Sequence, residues 1–409
     1  MTDANGLMAA RVARPDNVPA DRVVDWDMYH PPGLEAGLHE SWRQLHAPGV
    51  ADLVWTPRNG GHWIATRGRL IEQMFRDPEH FSSECIWLPK EAGEEYEFIP
   101  TSMDPPEQTP FRELINTGIG LRVAKSIEEP IRQRARSLIS AVRESGGCNF
   151  PSAYAEPLAI GVFLTLVNLP EDDAPRLKRV VDQITRPDGS ISMRAASQLL
   201  FDYLSPVIDA RLRSPGGDVL SVILQGKVNG RPMTKAEAER VCGLLLLAGL
   251  DTVVNFLSFV FYYLAEHPQY QRLLGAQRAS IPLAVEEFFR RLPLVADGRL
   301  VKHDMVVDGV RLKAGDMVLL PTMLHGLDER ENPEPMKFDL QRQNARHSFF
   351  GNGPHRCAGL HIARAEVRIT LEEWLAAIPR FELASGAKPR YHAGVVAMLD
   401  CLPLVWAGR

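Results

Sequence analysis

The chain has 409 residues, 45% of them apolar and 24% charged, with a formal net charge of −5. This is the composition of an ordinary globular protein with room for a sizeable core, and it argues against one that coats nucleic acid or acidic membranes. The five cysteines, Cys85, Cys148, Cys242, Cys357 and Cys401, form no CxxC pair. A disulfide framework is therefore not expected, and a reducing cytoplasm fits.

Residues 1–35 are polar and carry prolines, which predicts an arm laid on the surface. No long apolar run occurs in the first thirty residues, so neither a secretory signal nor an N-terminal anchor is expected. Residues 36–409 contain no long flexible linker and no repeat, and they predict one domain. Asp52–Trp55 and Trp63–Thr66 predict a hairpin, with Asn59-Gly60-Gly61 turning between them. From about Pro110 to Ala265 helical periodicity dominates, interrupted at Arg186-Pro-Asp-Gly189 and Val228-Asn-Gly-Arg231. A second β-rich stretch, Arg299–Leu320, turns at Asp308-Gly309. A polar meander then leads to a last helix over 360–377, where Leu360, Ala363, Val367, Leu371 and Trp374 recur at helical steps. The expected fold is mainly α with small β-sheets.

The most apolar segment, Val241 to Ala265, is long enough to cross a bilayer. Asp251 and Asn255 near its middle oppose that, because a charge there is costly. Thr234 and Glu237 form a capping-box pattern, so the helix starts before the apolar run and reads as a buried core helix. Within it lies Ala248-Gly-Leu-Asp-Thr252. Gly249 costs about 1 kcal/mol of helix propensity relative to alanine. Thr252 is placed to bond back to the carbonyl of Ala248, and a buried Asp251 needs a partner or a shifted pKa. Two readings stay open there: a capped bend with a satisfied salt bridge, or a widened turn that admits a small molecule and supplies protons.

Cys357 sits in Phe349-Phe-Gly-Asn-Gly-Pro-His-Arg-Cys-Ala-Gly359. A structural cysteine does not need Gly351, Gly353 and Gly359 around it; such glycines let backbone approach something flat or charged. The following helix start favours a thiolate. His355 and His361 raise the question of zinc, but no second cysteine pair is present. A cysteine nucleophile lacks a clear base. An axial thiolate ligand to haem iron fits a lone cysteine best.

Phe350-Gly-Asn-Gly353-Pro-His-Arg-Cys357-Ala-Gly359 matches the pattern F-x-x-G-x-x-x-C-x-G and resembles the haem-thiolate monooxygenases, the cytochrome P-450 family. Ala248–Thr252 resembles that family's distal oxygen-binding turn, and Glu287-Phe-Phe-Arg290 its structural E-x-x-R pair. The stretches GEEYEFIPTSMDPPEQ, TRPDGS, AGLDTVVNFLSF, LVADGR and GLDEREN resemble the bacterial camphor 5-monooxygenase subgroup. The resemblance implies haem b buried between a long central helix and the loop bearing Cys357. It implies that Arg112, Arg299 and His355 hold the haem carboxylates, supported by Gln108 and Asp297, with Phe350 and Gly359 in the loop.

The resemblance further implies that Thr252 serves the oxygen end of the reaction and that Asp251, paired with Lys178 and Arg186, gates protons. It places Tyr96 on a ketone oxygen of a small terpenoid, with camphor as the first expectation. Trp87, Thr101, Thr185, Leu244, Leu247, Val295 and Val396 would supply the other walls. Trp87 and Leu247 are larger than the residues of the camphor enzyme, which implies a reshaped pocket. Glu84, Gly93, Glu94 and Tyr96 match a potassium-binding loop. No flavin or nicotinamide motif is present, so electrons are expected from an iron–sulfur ferredoxin reduced by a separate NAD(P)H-dependent reductase. The docking patch would be Arg112, Arg346, Arg356 and Arg364, although Glu72, Glu79, Thr109 and Asn344 replace basic residues of the camphor enzyme's face. Lys337 stands where many relatives have an arginine that completes the Glu287–Arg290 triad, which predicts a weakened network. A peroxide-driven oxygenase and a haem-thiolate ligand sensor are the alternatives.

Overall fold

The computed structural model describes residues 11–186 and 190–407. Pro187–Gly189 of the interruption expected at 186–189 lie outside the described residues. The largest sheet has five strands in the order Leu53–Thr56, His62–Ala65, Met317–Pro321, Ala296–Val301 and Phe81–Ser82. Trp55 faces Trp63 across the predicted hairpin, whose turn holds Asn59, Gly60 and Gly61 at positive φ. Asp308 and Gly309 likewise turn Met305–Val307 back onto Val310–Leu312. Asn229 and Gly230 do the same between two short strands at 227–232.

In its described part the arm is mostly exposed or half-buried, and a few side chains anchor it. Val18, Trp26 and Met28 are buried, and Val24 donates its N–H to the carbonyl of Trp55 at 2.9 Å. Apolar side chains in a proline-bearing segment have here found an open sheet edge to cover.

A three-stranded sheet of Glu382–Leu383, Pro403–Val405 and Gly147–Asn149 and a pair of Tyr391–His392 with Met398–Leu399 complete the described strands, and helices dominate the remainder. Thr252–Glu266 and Leu360–Ala377 meet in the core, where Phe261 and Trp374 lie 5.1 Å apart edge-on. The apolar stretch Lys235–Glu266 is long enough to cross a membrane, yet 72% of its most apolar window is buried in this protein. Its start is the predicted capping box: Thr234 Oγ1 accepts the Glu237 N–H at 3.2 Å, and Glu237 accepts the Thr234 N–H at 2.7 Å.

This helical run is broken. One helix ends at Gly249 and the next begins at Thr252. A Cβ on Gly249 would lie 2.3 Å from the Phe163 ring, so only glycine permits this approach. Thr252 Oγ1 donates to the carbonyl of Ala248 at 3.3 Å, the back-bond anticipated from the sequence.

The expectation of a weakened Glu287–Arg290 network is overturned. Arg290 donates two bonds to Glu287, at 2.7 and 2.8 Å, and reaches the carbonyls of Gly326 and Pro335. Arg342 supplies the third member, with Nε 3.2 Å from Glu287. Lys337 instead points outward, its ammonium 3.5 Å from Glu334 on the surface. The fork that lysine lacks comes from five residues further along the meander.

Candidate active site

The Cys357 loop is shaped by its own backbone. Cys357 donates its N–H to the carbonyl of Phe350 at 2.8 Å, and Gly351 and Gly353 take φ of +64° and +66°. Gly353 is needed for packing: a Cβ there would lie 2.5 Å from the carbonyl of Phe75. That close approach is to a neighbouring helix, whereas the sequence suggested an approach to a flat or charged group. The Gly359 N–H bonds the Cys357 sulfur, one residue before the helix Leu360–Ala377 begins.

Beside the loop is a cavity of about 310 Å³. Cys357 is accessible, but its accessible face is the cavity wall. Burial therefore pushes its thiol up, with the Gly359 N–H, Arg112, Arg356 and Arg364 opposing. The thiolate preference expected from the helix start is outweighed in the free protein; a coordinated metal ion reverses that balance.

On the facing wall are Ala248, Gly249 and Thr252, at the break in the central helix. Behind them lies Asp251, only 1% exposed. Its carboxylate accepts bonds from Arg186 at 2.5 and 2.8 Å, from Lys178 at 3.2 Å and from Asn255 at 3.0 Å. Burial alone would raise its pKa; the two cations outweigh that and hold it below the usual range. Asp182 shares both cations.

One end of the cavity is polar in an unbalanced way. Arg299 is 3% exposed and has no carboxylate within ion-pair distance among the described residues. It donates to the carbonyl of Gly298 at 2.7 Å and stacks 5.0 Å from the Phe75 ring. Arg112 is bonded to Asn116 and to the Arg356 carbonyl. His355 Nε2 is buried without a partner. Burial lowers the pKa of all three, to about 4 for His355. A buried cation, a half-buried one and an orphaned ring nitrogen beside an otherwise apolar cavity fit a flat group carrying carboxylates. Asp297 lines the same end, its carboxyl raised by burial. Gln108 does not line it; its Nε2 donates to the carbonyl of Pro354 at 3.0 Å and ties helix Gln108–Ile119 to the Cys357 loop.

Comparison with known proteins agrees with this arrangement. Residues 190–390 match the family pattern "Cytochrome P450". A "Probable cytochrome P450 127A1" of Sinorhizobium fredii (strain NBRC 101917 / NGR234) is 33% identical over 96% of this chain and 97% of its own. The crystal structure of CYP101J2 superposes with a TM-score of 0.90 at 44% identity, covering 97% of this chain and 100% of that one. CYP101C1 gives a TM-score of 0.90 at 40% identity with the same coverage. Fold and thiol-bearing cavity thus define a haem-thiolate protein. The chain belongs to the cytochrome P450 monooxygenase family, close to the CYP101 structures, and its cofactor is haem b.

The expected substrate walls divide. Thr101, Leu244 and Val295 line the cavity, and Phe350 and Gly359 line its Cys357 side. Tyr96, Trp87, Thr185, Leu247 and Val396 are buried behind it. Tyr96 Oη lies 3.1 Å from Thr101 Oγ1, and the Trp87 ring stands 5.8 Å from Tyr96. Val396 bridges to Val295, Thr185 donates to the carbonyl of Val181, and Leu247 shares a helix with Leu244.

In the expected potassium loop, the Gly93 carbonyl already accepts the Tyr96 N–H at 3.1 Å. A Cβ on Gly93 would lie 2.3 Å from the Cys85 sulfur, so that glycine also serves packing. Of the expected docking arginines, Arg346 pairs with Glu72 and Arg364 with Glu286.

Two residues escaped the sequence reading. Arg342 sits in a meander with no periodicity to expose its partner. Glu366 lines the cavity and is 3% exposed, with burial pushing its carboxyl up to about 8. An acid beside Ala363 and Val367 on the inward stripe of the last helix was the available signal.

Proposed function

We propose that the protein inserts one oxygen atom of O2 into an unactivated C–H bond of a small terpenoid, with a camphor-like bicyclic ketone as the leading candidate. The other oxygen atom leaves as water, consuming two electrons and two protons. The supporting observation is that Cys357 and Thr252 face one cavity from opposite elements, with the ion-paired Asp251 directly behind.

Haem held by Cys357 supplies the oxygen activation when bound. Arg112, Arg299 and His355 would hold its carboxylates. The Thr252 hydroxyl, freed from the Ala248 carbonyl, holds a proton at the cavity wall. Asp251 passes protons inward only when Arg186 and Lys178 loosen, which keeps bulk water from the reacting atoms. Tyr96 turns its hydroxyl from Thr101 to the ketone oxygen, so substrate exchanges one hydrogen bond for another. Electrons come from an iron–sulfur ferredoxin served by an NAD(P)H-dependent reductase, docked at Arg112 and Arg356 on the Cys357 side. Potassium carried by the carbonyls of Glu84, Gly93, Glu94 and Tyr96 would stiffen the Tyr96 segment. The five unpaired cysteines favour the cytoplasm. The Asp251 network favours a proton-consuming oxygenase over a ligand sensor.

The test begins with the reduced carbon monoxide complex, whose Soret band must be red-shifted; an unshifted band removes the thiolate. Camphor should then move the ferric protein to high spin. A response to other terpenoids alone would keep the class and discard camphor. Thr252→Ala should retain haem yet lower product formed per reduced nicotinamide consumed, and unchanged yield would remove that role. Turnover with peroxide but with no ferredoxin tried would transfer the assignment to the peroxide-driven alternative.

A further inference from the structure

His325, in the short helix Thr322–Gly326, is 1% exposed. Its ring is wedged against the start of helix Gly68–Arg76, where a Cβ on Gly68 would lie 2.4 Å from the imidazole Cδ2. The far end of that helix is where Gly353 of the Cys357 loop approaches Phe75. His325 Nδ1 lies 2.6 Å from the hydroxyl of fully buried Ser348. Asn352 Nδ2 donates to the same hydroxyl oxygen at 2.5 Å. Asn352 stands between Gly351 and Gly353, both at positive φ, and lines the Cys357 cavity. Three polar side chains thus connect a neighbouring helix to the cavity wall. The backbone carries the connection further: the Ser348 carbonyl accepts the Gly351 N–H, and the Phe350 carbonyl accepts the Cys357 N–H, each at 2.8 Å.

We propose that neutral His325 is a positioning residue for the iron ligand: it latches Ser348 and Asn352 so that the Cys357 loop keeps its shape, and its protonation in acid releases the latch. The inference rests on Cys357 as the iron ligand proposed above, and not on the identity of the substrate. The hydrogen count carries it. Ser348 Oγ accepts from Asn352, so its own hydrogen goes to His325 Nδ1, which must be bare. The ring proton is then on Nε2, which is buried without a partner. Protonation at Nδ1 would aim two N–H groups at one oxygen and leave the hydroxyl hydrogen unplaced. It would also bury a cation. The charged or titratable groups facing the ring are Glu72 on helix Gly68–Arg76, Asp328 beyond the short helix, and Arg346 and His347 on the meander. Both carboxylates already have partners, Glu72 in Arg76 and Arg346, Asp328 in Arg67. Burial therefore prevails and pushes the ring down to about 4. An opened loop regains the ordinary histidine value of about 6.5. As pH falls below that value, the opened loop takes up a proton that the closed loop refuses, so closure weakens.

The reduced carbon monoxide complex of the holoenzyme reads the latch without turnover. Its red-shifted Soret band reports the thiolate, and the rate at which that band gives way to an unshifted one is followed at pH 7 and pH 5. His325→Asn keeps an acceptor near the Nδ1 position and cannot titrate in this range. It should match the parent at pH 7 and lose the band several-fold more slowly at pH 5. Ser348→Ala, which breaks the latch outright, should lose the band several-fold faster than the parent at pH 7. Other acid-sensitive groups, His355 among them, are common to parent and variants and cancel in the comparison. Nitrogen-15 signals of the His325 ring in the same diamagnetic complex keep the test decisive if a variant fails to fold: Nδ1 should be bare and Nε2 protonated at pH 7. Equal rates for parent and His325→Asn at pH 5 overturn the latch, as does a protonated Nδ1 at pH 7. Absence of the red-shifted band in the parent at pH 7 would instead remove the Cys357 ligation on which the inference stands.

Discussion

Two groups of buried charges in this protein are built oppositely. Around Arg290, the guanidinium meets Glu287 and the carbonyls of Gly326, Pro335 and Lys337, leaving no donor idle, and Arg342 shares Glu287. Around the cavity, Arg299 has one carbonyl and a ring face, His355 Nε2 has nothing, and Glu366 has no hydrogen bond among the described residues. Both glutamates, Glu287 and Glu366, are 3% exposed. Burial is therefore equal, and only partnership differs. The first group completes itself on folding and serves the fold. The second leaves groups unsatisfied beside an empty volume, where a bound molecule completes them.

The comparison is most sharply broken at Glu287. Glu287→Ala should cost about 3–5 kcal/mol, because it strands a buried guanidinium rather than removing a pair. Urea unfolding of the holoenzyme checks this, and a loss below about 1 kcal/mol would show that the cluster is not self-completing.

Glu366→Gln should act in the opposite direction. Its carboxyl titrates near 8 in the folded chain, against about 4.3 for an unfolded glutamate. As pH rises through that window, the unfolded chain releases a proton that the folded chain keeps, so the parent loses stability. The amide removes that penalty, with a gain of about 3 kcal/mol at pH 7 that shrinks towards zero near pH 4. Unfolding midpoints at pH 7 and pH 5 should show the difference narrowing. An equal difference at both would mean that the carboxyl has a hidden partner.

Arg299→Gln divides the two groups by a different readout. Removing an unpartnered buried cation should leave the stability of the haem-free protein unchanged or raised. Haem retention should fall by roughly 1.5–3 kcal/mol, the worth of hydrogen bonds to a charged group. Transfer of haem to an excess of an apo-globin measures it. Loss of stability without loss of haem would place Arg299 with the structural group.

The sequence made the local pieces of this contrast legible and hid the long-range ones. Cys357, its glycines and the following helix lie within one short stretch, so spacing alone exposed the loop. The break at Gly249–Asp251 was legible because glycine, acid and hydroxyl interrupt an apolar run. Asp251's partners at positions 178 and 186 lie more than sixty residues away in sequence and rested on resemblance. Tyr96 shows the same limit from the other side: the matching position was visible, but not that its hydroxyl would be bonded to Thr101 of the cavity lining. The anchors of the N-terminal arm were hidden because the burial of Val18, Trp26 and Met28 depends on a sheet edge built elsewhere.

Lys337 gives the smallest effect and the finest discrimination. Read in sequence, it occupies the triad position, and its loss should resemble that of Glu287. In the structure its ammonium faces Glu334 at 3.5 Å on the surface, and only its backbone carbonyl serves the cluster, accepting from Arg290 and Arg342. A side-chain substitution leaves that carbonyl in place. Lys337→Ala should therefore change stability by less than about 1 kcal/mol, the scale of an exposed ion pair. Arg342→Ala should cost more, because it removes a bond to buried Glu287 and three bonds to the carbonyls of Pro333, Glu334 and Lys337. Unfolding midpoints of the two variants, measured side by side, decide which residue closes the triad; if the lysine variant is the weaker protein, the meander positions have been assigned in the wrong order.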